Sequence, residues 1–149
     1  MSLQFITNRT DNDVSFAKQN QGDVSFLLGS MNYTDLNRIE SNTKALADKL
    51  KEYGYIASIE VRPTTWTVND VPFLDDINRI RNNVNLLQTA FYSVPDWRNI
   101  IVNSVMSYEQ LNALEWDLER IDLYLQDVIT AFDLKQSGTL FVIAGGVLN

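Results

Sequence analysis

Three stretches decide the fold: Asp35-Leu36-Asn37-Arg38-Ile39-Glu40, Asp76-Ile77-Asn78-Arg79-Ile80-Arg81 and Gln110-Leu111-Asn112-Ala113-Leu114-Glu115. Each opens with nearly the same phrase and continues with apolar residues at steps of three and four. The first runs through Leu36, Ile39, Leu46, Leu50 and Tyr53, with Thr43 filling the missing step. The second runs through Ile77, Ile80, Val84, Leu87 and Phe91, and the third through Leu111, Leu114, Leu118, Ile121, Leu125, Val128 and Phe132. This spacing is the stripe of helices that pack lengthwise on one another. It predicts a mainly α fold, a three-helix antiparallel bundle.

Around the stripes, local signals place the ends. Thr34 reads as the N-cap of the first bundle helix, with Asp35 in its first turn, a Glu40–Lys44 pair one turn on, and Gly54 as its stop. Tyr55–Arg62 then reads as a strand halted by Pro63. A loop with Trp66 leads through Val71-Pro72 to a second helix over about 73–93, which Val94-Pro95-Asp96-Trp97 breaks. Residues 98–106 read as a short strand or extended segment. Ser107 and Gln110 form a capping-box pattern for a third helix ending near Phe132, about 39 Å long at 1.5 Å per residue. Ser137-Gly138 turns the chain into a last strand, 139–144. Strands 55–62 and 139–144 are expected to pair as a small ribbon packed on the bundle or on another subunit, because an isolated ribbon is marginal. Residues 1–30 are polar and irregular and read as an N-terminal arm, with Asp13 capping a short helix over Val14–Gln19. The division is thus an arm, 1–30, and a helical domain with a terminal strand, 31–149.

Composition narrows the chemistry. The 149 residues fit one domain that buries roughly 70% of its unfolded surface. No apolar run approaches the ~20 residues of a membrane span, and Met1-Ser2-Leu3-Gln4-Phe5 lacks the features of a secretory signal. Without that signal, the glycosylation patterns Asn8-Arg9-Thr10 and Asn32-Tyr33-Thr34 carry no weight. The chain has no cysteine and no histidine. Disulfides, thiolate chemistry and histidine-based triads are therefore excluded within it. A net charge of -7 argues against a nucleic-acid partner, since phosphate binding needs a basic surface. The acid concentrates between 107 and 132, where Arg120 alone faces Glu109, Glu115, Asp117, Glu119, Asp122 and Asp127. That face is expected to be solvated.

Candidate sites are few. Asn37, Asn78 and Asn112 follow the first core residue of each helix and are expected to bond free backbone groups or a neighbouring loop, not a ligand. Asp75 and Asp76 point to different faces and complement the helix dipole. Glu115, Glu119 and Asp122 share a face, but nothing else in the sequence completes a cation site, so no metal and no cofactor are expected. Trp66 and Trp97, in loops flanking the second helix, either cover the open end of the core or recognise a glycan by stacking. No phosphate loop, dinucleotide fingerprint, nucleophile elbow or zinc pattern is present, which argues against an enzyme.

Asn32-Tyr33-Thr34-Asp35-Leu36-Asn37-Arg38-Ile39-Glu40, followed by Leu46-Ala47 and Tyr53-Gly54-Tyr55, resembles a module in tail- and baseplate-associated structural proteins of phages and prophages of Gram-positive bacteria. Trp66, Val71-Pro72, Tyr108-Glu109 and the opening Thr7-Asn8-Arg9-Thr10-Asp11 fall where that module has its counterparts, whereas Phe141–Asn149 departs from it. The resemblance implies a non-enzymatic virion component, assembled in the host bacterial cytoplasm and acting through contacts with other virion proteins in a multi-copy assembly. Leu140, Phe141, Val142 and Ile143 are the candidate assembly residues, joining a neighbour by strand addition. A glycan- or cell-wall-binding module using Trp66 and Trp97 is the alternative.

Overall fold

Each helix starts where a side chain satisfies amide groups that the first turn leaves free. A computed structural model describes residues 2–20, 29, 31–99, 106–136, 142–143 and 146–147. It is mainly helical: α1 spans Asp11–Gln19, α2 Tyr33–Glu52, α3 Leu74–Phe91 and α4 Tyr108–Gln136. Thr10 caps α1 in a reciprocal box with Asp13, so this helix is longer than the turn expected from Asp13. Asn32, not Thr34, caps α2: its side-chain oxygen accepts from the amides of Thr34 and Asp35, at 2.9 and 3.4 Å. Asp76 accepts from the Phe73 amide at 3.0 Å to start α3. Ser107 and Gln110 bond one another's backbone amides at the start of α4, as expected. At the end of α2, Gly54 takes φ +90°, open to glycine without strain. Tyr55 N–H reaches Leu50 O and Gly54 N–H reaches Lys51 O, the Schellman closure.

The three stripes meet. α2, α3 and α4 each pack against the other two. Leu36, Ile39, Leu46 and Leu50, with Ile77, Ile80, Val84 and Leu87, and with Leu111, Leu114, Leu118, Ile121 and Leu125, form one buried core. Thr43 sits inside it because its hydroxyl donates to Ile39 O at 2.7 Å, leaving a methyl to pack. The third stripe leaves the core after Leu125. With 29 residues against 20 and 18, α4 is about 14 Å longer than α2, and Phe132 is 43% exposed.

The expected β-ribbon is not formed among the described residues. Among the described residues segment 55–62 has no strand partner, although inward and outward residues alternate along 55–60. Its packing neighbour is α3: Asn83 donates to Glu60 O at 2.8 Å and accepts from Glu60 N–H at 2.9 Å. A side-chain amide thus does for Glu60 what a neighbouring strand would do. The sheet present is local, with β1 (Val142–Ile143) antiparallel to β2 (Gly146–Val147), pairing Val142 with Val147 and Ile143 with Gly146. A close partner in sequence closes a shorter loop at lower entropy cost than one far upstream. Of the expected extended segment at 98–106, residues 100–105 lie outside the described residues.

Candidate functional site

The most elaborate polar constellation fastens the arm to the helices. Leu3 and Phe5 pack on the core, and Asn42 donates to Gln4 O at 2.7 Å. Arg9 then enters between α2 and α4, its side chain fully buried. Its Nη2 bonds Asp35 at 3.0 Å and Glu115 at 2.8 Å, and its Nη1 bonds Ile6 O at 2.8 Å. Arg38, one turn beyond Asp35, bonds Asp35 at 2.7 Å and Glu115 at 2.5 and 3.0 Å. The Ile6 amide donates to Glu115 at 2.7 Å. Two arginines thus balance two carboxylates, with Arg9 and Glu115 fully shut off from water and Arg38 keeping a fifth of its side chain exposed. Burial works against the Arg38 charge, but the hydrogen bonds and charges of Glu115 and Asp35 outweigh it and raise its pKa. The bonds of this cluster end on carboxylates, on the Ile6 carbonyl and on the Asn112 side-chain oxygen, which accepts from Arg9 Nη1 at 3.2 Å, while Arg9 Nε is buried without a partner among the described residues; the arrangement holds a segment in place.

Asparagines supply the other fastenings, by one repeated device. Asn37 donates to Trp66 O at 2.8 Å and accepts from Trp66 N–H at 2.7 Å. Asn112 does the same for Arg9, at 2.9 and 3.1 Å. With Asn83 on Glu60, each of α2, α3 and α4 reads both backbone groups of one residue in a neighbouring segment. The expectation for Asn37 and Asn112 is therefore met. On α3 the role falls to Asn83, while Asn78 leaves its side-chain oxygen buried without a partner. Nothing in the spacing of apolar residues singles out Asn83, because its partner comes from a distant loop.

Trp66 is 3% exposed. Its indole N–H donates to Glu40, and the Arg62 guanidinium lies 3.8 Å over its ring. A ring so enclosed has no face to offer a sugar, so at this position the recognition reading gives way to core packing. The Glu40 carboxylate also receives Arg79, which displaces the expected Glu40–Lys44 pair; Lys44 turns to Asp48 instead, at 2.5 Å. Trp97 is half-buried against the core, with its indole N–H on Asn85 at 2.9 Å.

The acidic face of α4 is not uniformly solvated. Glu115 and Asp117 are fully buried. The Asp117 carboxylate accepts from the backbone amides of Arg98 and Asn99, at 2.9 and 2.6 Å, and so pins the chain after Trp97. Burial pushes its pKa up to about 6 despite those bonds. Periodicity missed these two because charge ordinarily marks the outer face of a helix. Glu115, committed to two arginines, is also removed from the Glu115–Glu119–Asp122 set. Among the described residues no cluster of acidic side chains is placed to hold a metal ion, and no helix is long and apolar enough to cross a membrane.

Two grooves run between α2 and the segment that follows it. One, of about 170 Å³, lies between Ser41 and Lys44 on α2 and Val61, Pro63 and Thr65; the other, of about 220 Å³, lies between Ala47 and Lys51 and residues Ile56 and Ser58. Val61 and Lys44 border both. Of the candidate assembly residues, Val142 and Ile143 form β1, while Leu140 and Phe141 lie outside the described residues. Compared with known protein families, with curated proteins and with solved structures, the chain matches none.

Proposed function

We propose that this chain is a non-enzymatic virion structural protein, a tail or baseplate component of a phage or prophage of Gram-positive bacteria that works through protein–protein contacts. Its body is read as an antiparallel three-helix bundle, with α2 and α4 running one way and α3 the other. The observation that carries the proposal is where the buried polar groups end. The Arg9–Asp35–Arg38–Glu115 network and the clamps of Asn37, Asn83 and Asn112 grip segments of the chain itself. A scaffold that spends its interior polarity on fixing an arm and loops is suited to presenting surfaces in a fixed arrangement. The likeness of residues 32–40 to tail-associated modules points the same way. In this reading the protein is assembled in the host cytoplasm, sits in several copies beside other virion proteins, and joins a neighbour through 139–144.

The test is mass spectrometry of purified particles from the organism that encodes the chain, comparing the intact protein with one lacking 139–149. The intact chain should appear at multi-copy stoichiometry. The truncated chain should keep its helicity by circular dichroism and be missing from particles. An intact chain absent from particles refutes the proposal; a truncated chain that still enters refutes the role of 139–144.

A further inference from the structure

Trp116 and Arg120, one turn apart on α4, build a stack with Arg98 from the segment after α3. The guanidinium groups of Arg98 and Arg120 lie over the Trp116 ring, 3.6 and 3.9 Å from its centroid. Among the described residues neither arginine has a carboxylate within ion-pair distance, whereas Arg9, Arg38, Arg62 and Arg79 each have one. Acids are not scarce nearby. Asp96, Glu119 and Asp122 stand within two residues of the two arginines, in a chain with 19 acidic and 12 basic side chains. Asp122 instead accepts from Gln126, and Asp117, which feels the Arg98 charge, is held by the backbone amides of Arg98 and Asn99. Two donors of the same stack, the indole N–H of Trp116 and Nε of Arg120, are buried without an acceptor among the described residues.

A buried donor left without an acceptor is costly, and such groups mark places where something supplies one. Here the deficit is all of one sign: donors and positive charge, with no acceptor to match. Water would satisfy a donor but leave two guanidinium charges beside one ring unbalanced. Stacking uses the flat face of a guanidinium and leaves its N–H edge ordered for a bidentate acceptor. We propose that Arg98, Trp116 and Arg120 form an oxyanion site, taking a carboxylate or phosphate group whose oxygens bond the two guanidinium groups and the indole N–H. Trp116 and Arg120 share a face of a rigid helix and make its floor. Arg98, the exposed member, turns outward to admit the group and folds back over it. The site suits a single anionic group and not a nucleic-acid backbone, for which two cations in a chain of net charge -7 are too few.

The signals to follow are those of the donors themselves. Proton–nitrogen NMR spectra of isotope-labelled protein resolve indole N–H and arginine Nε–H groups. They are recorded during titration with sodium phosphate, with sodium acetate and, at equal ionic strength, with sodium chloride. The Trp116 indole and Arg120 Nε signals should shift saturably with at least one of the two oxyanions and not with chloride. The indoles of Trp66 and Trp97, already bonded to Glu40 and Asn85, should stay in place. Arg98→Gln and Arg120→Gln should each raise the half-saturating concentration at least about tenfold, the scale of one hydrogen bond to a charged group. Arg98→Lys, which keeps the charge and loses the planar fork, should recover only part of the loss. A response to acetate alone assigns the site to a carboxylate, such as an acidic peptide carries, and a response to phosphate alone assigns it to a phosphate group; either supports the inference, as does a response to both. No saturable shift in the parent, an equal shift in chloride, or a titration unmoved by both Gln substitutions overturns it.

Discussion

Replacing Glu115 with Gln keeps the shape of the side chain and removes the charge of a carboxylate that has no contact with water. Before the change, Arg9 and Arg38 are balanced by Asp35 and Glu115; afterwards two guanidinium groups share one carboxylate. The new amide nitrogen also turns donors toward donors, because Glu115 accepts from Arg9, twice from Arg38 and from the Ile6 amide. At about 1.5–3 kcal/mol for each bond to a charged group, simple addition of the four would give about 6–12 kcal/mol. That sum is too large, because Arg38 keeps 20% of its side chain in water and is partly rehydrated. The cost expected for breaking a buried pair, about 3–5 kcal/mol, is the better figure. It is a large share of the 5–15 kcal/mol typical of a domain. Urea unfolding followed by far-ultraviolet circular dichroism measures it directly, with Glu52→Gln on the exposed end of α2 as a control expected within about 0.5 kcal/mol. A second readout is local. Trypsin should cut after Arg9 in the variant, whose arm is loosened, and spare it in the parent, where the guanidinium is buried. A loss below about 1 kcal/mol, with Arg9 still protected, would show that the network does not hold the arm.

Asn37→Ala leaves both backbone groups of Trp66 without their partner and is expected to cost about 1–3 kcal/mol. The Trp66 amide should exchange hydrogen faster in this variant, and unaltered exchange there would contradict the clamp. For Asp117, a folded-state pKa raised from 3.8 to about 6 means that its charged form is disfavoured by folding. Its contribution is therefore most favourable below pH 4, is lost as pH rises through 6, and is level above that. Measured against Asp117→Asn, which does not titrate, the parent should lose roughly 3 kcal/mol between pH 4 and pH 7; a flat or rising difference would refute the assignment.

The sequence by itself determined the body. Apolar residues at steps of three and four can be buried together only on helices, so the stripes from Leu36, Ile77 and Leu111 specify three helices, and caps such as Ser107–Gln110 and the stop at Gly54 follow from local backbone chemistry. Only the tertiary structure decided where the polar residues went. Arg9 sits in a polar arm without periodicity, and Glu115 and Asp117 sit in an acidic run that reads as surface. Each is buried because its partners, from Asp35 and Arg38 to the amides of Ile6, Arg98 and Asn99, arrive from distant parts of the chain. Segment 55–62 shows the same division. Its alternation is local and readable, but whether a strand or Asn83 satisfies its backbone depends on which neighbour the fold brings alongside. A charge or an amide is cheap to bury once its partner is in place, and partner placement is a property of the whole fold.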